Sequence, residues 1–192
     1  MHLLVALLLL LTSGQGLASP AQALVSAARK QIGVTVTYDG SYRTLRYPGG
    51  DVPSDRGVCT DVVIRAYREL GIDLQRSVHE DMRANWSAYP KRWGLKKPDT
   101  NIDHRRVPNL DVFFQRHGAS LPLRTRADAF KPGDIVTWNL PGNLPHIGIV
   151  ADTTSSDGTP LVIHNIGAGT QMEDVLFAYK MVGHYRYQPA RP

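Results

Sequence analysis

Lys131-Pro132-Gly133-Asp134-Ile135-Val136-Thr137-Trp138 is the stretch where the periodicity of the chain changes. Pro132 and Gly133 are turn residues, and the β-branched and aromatic run after them fits a strand. Downstream, residues 147–151, 161–165 and 182–187 also read as strands, with a Ser-Asp-Gly-Pro turn over residues 155–160. Upstream the period is helical. Ser19 and Pro20 suit the start of a helix over residues 20–32, whose Leu24, Ala28 and Ile32 share a face and which Gly33 ends. A second helix spans residues 58–70 on Val63, Tyr67 and Leu70, with Gly71 as its stop. The capping-box spacing of Ser77 and Glu80 predicts a third over residues 77–86. A fourth covers residues 108–117, with Leu110, Phe113 and Phe114 inward. Residues 35–53 form a long loop rich in Tyr, Gly and Pro, and residues 89–106 read as irregular and basic. Helices first and a strand meander afterwards predict an α+β fold, N-terminal helices packed on a C-terminal antiparallel sheet.

The chain has 192 residues, 42% apolar and 20% charged, without repeats or low-complexity linkers. That fits one domain, placed at residues 24–187. Residues 3–11 are almost unbroken leucine, too short for a bilayer span of about 20 residues but the length of an export-signal core. The expectation is a signal over residues 1–18, with cleavage after Ala18 or as late as Ala23, and a periplasmic or secreted destination without stable membrane insertion. The formal charge of +5 draws an exported protein to polyanions such as cell wall. No nucleic-acid-binding signature accompanies it, and no cofactor motif is present.

The single cysteine, Cys59, has no thiol partner within the chain. It is either a small buried apolar residue or a nucleophile. It sits where Asp55-Arg56-Gly57 becomes helix, and a helix start favours thiolate and offers amides to an oxyanion. A nucleophile there needs a histidine. Of the seven histidines, His146 is the best placed, opening the strand Ile147-Gly148-Ile149-Val150. His164, near the end of Leu161-Val162-Ile163, orients the His146 ring if the two strands are neighbours. Asn165, on the opposite face by alternation, is the other candidate orienter. His79 is expected on a solvated helix face, and His184 in a structural role. His104, in Asp103-His104-Arg105-Arg106, is expected in an exposed basic knot suited to solvent or to an anion.

Gly57-Val58-Cys59-Thr60-Asp61-Val62-Val63, Gly133-Asp134 before a strand, His146-Ile147-Gly148-Ile149-Val150 and the strand ending in His164 resemble the NlpC/p60 superfamily of papain-like cell-wall cysteine peptidases. Thr37-Tyr38-Asp39-Gly40, Tyr47-Pro48-Gly49-Gly50-Asp51-Val52-Pro53 and Ile102-Asp103-His104-Arg105-Arg106-Val107-Pro108-Asn109 resemble, more closely, an exported bacterial family known as domain of unknown function 1287. The superfamily usually has an acidic residue before its cysteine and Ser-Gly after it. Here Val58 precedes, and Thr60-Asp61 follow. The resemblance implies a papain-like fold and a thiol hydrolase acting on peptidoglycan stem peptides through Cys59, His146 and His164, without a metal or cofactor. Stem peptides carry carboxylates, so Arg43, Arg105 or Arg106 are expected anchors. Tyr38, Asp61, His104 and Asn165 are further substrate-side candidates. Two other readings remain: a wall-binding module in which Cys59 is a relic, and a metal-dependent hydrolase using His146, Asp152, His164 and Cys59.

Overall fold

A computed structural model describes residues 18–189. The expected signal segment lies outside them, apart from Ala18. Helix α1 (Pro20–Arg29) is held by a full capping box, Ser19 with Gln22, and by Pro at its first turn. It ends three residues earlier than the sequence predicts, because residues 30–34 continue only as turns. A short parallel pair, β1 (Thr37–Tyr38) and β2 (Arg56–Gly57), precedes α2 (Cys59–Glu69). Helix α3 runs over Leu74–Ala84 and starts earlier than expected, because Asp73, and not Ser77, caps it by accepting from the Gln75 N–H. Short 3₁₀ turns lead to α4 (Val107–Arg116).

The sheet follows: β3 (Ile135–Leu140), β4 (Leu144–Thr154), β5 (Pro160–Asn165), β6 (Thr170–Glu173) and β7 (Lys180–Tyr185). Its order is β6-β5-β4-β3-β7, and every pairing is antiparallel. The fold is therefore α+β, as the change of period at Gly133 predicts. Strand β6 was not expected. The hairpin turn at residues 141–143 also makes β4 begin at Leu144, so His146 lies inside a strand paired with Trp138 and does not open it.

Alternation along the strands divides the core in two. Ile135, Ile147, Ile149 and Ile163 pack with Val62, Val63 and Phe114 from the helices. Val136, Trp138, Val150 and Val162 pack on the other side with Phe130 and Leu176. No helix among the described residues is long and apolar enough to cross a membrane.

The start of α2 is fixed by a buried ion pair. Asp61 Oδ2 accepts from the Val58 N–H at 2.7 Å, the backward half of a capping box. Both Asp61 oxygens also accept from Arg105, at 3.0 and 2.9 Å, with the two side chains only 4% and 2% exposed. Arg105 donates further to the carbonyls of Ser41 and Asp39. One guanidinium thus ties the early loop, the helix start and the segment before α4 together. Removing one partner of a buried pair strands the other, at a cost of about 3–5 kcal/mol. Asp61→Ala is therefore expected to lose that much stability in urea unfolding. A loss below about 1 kcal/mol, the range of exposed pairs, would contradict this role.

Candidate active site

Cys59 is the first residue of α2 and 5% exposed. Burial pushes its thiol up to about 12; the main-chain N–H of Ile147 opposes that shift, as do those of Thr60 and Cys59 itself, while the Asp61 charge adds to it. The sulfur thus contacts the residue that follows His146. At neutral pH it is a thiol.

His146 and His164 are brought together by adjacent strands. His146 Nε2 lies 2.8 Å from His164 Nδ1. Gly148 makes this possible: a Cβ there would meet Val162 Cγ1 at 2.5 Å and His164 Cβ at 3.2 Å. Trp138 stacks on the His146 ring, with centroids 5.7 Å apart. Burial, then the neighbouring His164, takes the His146 ring down to about 3. Burial also lowers His164, against the opposing pull of Glu173.

Glu173 Oε2 stands 2.9 Å from His164 Nε2, off the axis of a hydrogen bond. A carboxylate there favours a proton on His164 Nε2. Neutral His164 then accepts at Nδ1, His146 donates from Nε2, and His146 Nδ1 is left as a bare base. Sequence reading missed Glu173 because it missed β6; Thr170-Gln171-Met172-Glu173, after a Gly-Ala-Gly turn, was the available signal. Cys59 Sγ and the His146 ring share no hydrogen bond, and neither His146 nor His164 lines the cleft beside the sulfur's helix.

A cleft of about 390 Å³ borders Cys59 and is lined in part by Tyr38, Tyr42, Trp93, Arg106 and Pro145. Burial, then the adjacent Cys59, raises Tyr38 to about 12. The remaining expected residues separate. Arg43 pairs with Asp39 at 2.8 Å. Asp61 and Arg105 are engaged with each other. Asn165 donates to the Gly57 carbonyl at 3.1 Å, bracing the strand before Cys59 from the sheet's helix side.

His104 is not in an exposed knot: it is 2% exposed, its Nδ1 has no partner, and it does not line the cleft. His79 is likewise buried, paired with Asp103 at 2.8 Å, and not solvated. His184 contacts Asp134 at 2.8 Å. Asp152 pairs with Arg29. Among the described residues no group of His, Cys, Asp and Glu has metal-holding geometry.

The α+β domain carries a thiol at a helix start and a pair of histidines on adjoining strands. The chain belongs to the family described as a domain of unknown function, DUF1287, which matches residues 25–187. It is 59% identical over 165 residues to "Uncharacterized protein YijF" of Escherichia coli K12, over 86% of this chain and 80% of that protein. Among solved structures it is similar to NlpC1 from Trichomonas vaginalis, at 16% identity and a TM-score of 0.47, over 87% of this chain and 44% of that one. It is also similar to an N-acetylmuramoyl-L-alanine amidase from Bacteroides uniformis, at 16% identity and a TM-score of 0.46, over 86% and 96%. The chain spans less than half the length of the Trichomonas protein.

Burial takes the His104 ring down to about 3, with Arg105 adding to the shift. Its folded value lies below its unfolded value of about 6.5. The stability it contributes is present above pH 6.5 and is lost as pH falls toward 3. His104→Leu is expected to flatten the fall of unfolding free energy between pH 6.5 and 4, by up to one proton. An unchanged slope would contradict a buried neutral ring.

Proposed function

We propose that the protein is an exported thiol hydrolase cleaving amide bonds in peptidoglycan stem peptides, with Cys59 as nucleophile, His146 as base and acid, and His164 as orienter. The observation that carries this reading is the 2.8 Å contact of His146 Nε2 with His164 Nδ1, on the strand whose Ile147 N–H faces the Cys59 sulfur; with Glu173 beside His164 Nε2, we infer that His146 Nδ1 is the bare nitrogen.

A neutral thiol and a neutral ring make proton transfer part of the attack. His146 Nδ1 takes the thiol proton as sulfur adds to the carbonyl. The negative oxygen is met by main-chain N–H groups at the start of α2. His146 then returns the proton to the leaving amine, and water releases the thioester with His146 as base. Glu173 acts through His164 by holding its tautomer. The basic charge and the family resemblance support peptidoglycan as substrate. Export rests on the leucine-rich segment. Cleavage after Ala18 leaves the Ser19 cap of α1 intact, whereas cleavage after Ala23 removes the helix's first turn.

The deep burial of Cys59 and its lack of a hydrogen bond to His146 favour a second reading, a wall-binding module without turnover. Mass spectrometry of muropeptide digests separates the two. Cys59→Ala is expected to give no product and His146→Ala a loss of about 100- to 10,000-fold. His164→Ala and Glu173→Gln are expected to lose less. Products shared by wild type and Cys59→Ala would refute the nucleophile. No product from wild type, with wall binding retained, would establish the second reading.

A further inference from the structure

Among the described residues, the cleft beside Cys59 is lined by two arginines and by no Asp or Glu. Arg105 is spent: its guanidinium serves Asp61 and the carbonyls of Asp39 and Ser41. Arg106 is not. It makes no ion pair or side-chain hydrogen bond among the described residues, and its Nη1 is buried without a partner. Its backbone is fixed as the N-cap of α4. Its guanidinium lies over the Trp93 ring, with Cζ 5.0 Å from the centroid, while Arg92 stands 4.8 Å from the same ring. Trp93 holds a left-handed backbone, φ 55°, and is 57% exposed, so its ring face is open to both arginines.

A buried guanidinium nitrogen with nothing to donate to is costly in the empty protein. Its natural complement is an anion, and the planar fork of arginine matches a carboxylate.

We propose that Arg106, set against Trp93, is the carboxylate-binding residue of this cleft, so that the site selects amide substrates bearing a free carboxylate near the scissile bond. Of the three arginines that the sequence offers as anchors, it is the one whose charge is not already taken within the protein. The inference rests on the amide-hydrolase reading for the chemistry at Cys59, but the binding selectivity does not require turnover.

The test separates the two. A muropeptide-derived stem peptide is prepared with free carboxylates and, separately, with those groups as carboxamides. Binding of both to Cys59→Ala protein is measured by calorimetry, and cleavage of both by wild type is followed in parallel. The Cys59→Ala protein is expected to bind the carboxylate form about 10-fold tighter or more. Adding Arg106→Gln should bring the two affinities within about 2-fold, while Arg106→Lys keeps part of the preference as a point charge. Equal binding of the two peptides, no binding of either, or equal weakening of both by Arg106→Gln would overturn the proposal. The comparison on Cys59→Ala protein alone decides if the Arg106 variants do not fold. Selective binding without cleavage by wild type would leave Arg106 its role and overturn the hydrolase reading.

Discussion

The buried pair of Asp61 and Arg105 is the constraint on which the rest of the site depends. Asp61 reaches back to the N–H of Val58 and so fixes where α2 begins. Arg105, 44 residues further along, clamps that carboxylate and holds the loop carbonyls of Asp39 and Ser41 over it. Cys59 is the first residue beyond the clamp, so the position of its sulfur follows from this pair more than from its own contacts. Arg106 is the next residue in the chain, and the same anchoring sets its side chain in the cleft.

The second determinant is protonation. Burial keeps Cys59 a thiol and His146 a neutral ring, so the resting site holds no standing thiolate–imidazolium pair. Under the proposed hydrolase reading, a directed base takes its place. Glu173 acts on His164 and His164 on His146, each contact falling between neighbouring strands, with Gly148 vacating the space that lets the rings approach. Trp138 stacks on the His146 ring.

Much of this was legible in the residues. The turn at Gly133, the helix start at Cys59 and the alternation around His146 and His164 are local patterns, and local patterns survive into the fold. Long-range pairings were not legible. Nothing near Asp61 says that its partner is Arg105, and nothing near His104 says that it is buried. His79 sits on what reads as a polar helix face until Asp103 and Tyr47 close over it. Strand β6 is four residues long and half polar, too short for periodicity to declare, and Glu173 was lost with it. Asp73 is hard to see as a cap because Ser77 and Glu80 imitate a capping box one turn later.

The protonation state of the His146 ring is the most direct test of the account. Nitrogen-15 NMR of histidine-labelled protein reports which ring nitrogen carries the proton and follows it with pH. The account predicts a neutral ring protonated at Nε2, with Nδ1 bare, from neutral pH down to about pH 4, given a ring value of about 3. An imidazolium at pH 7, or a proton resident on Nδ1, would contradict it.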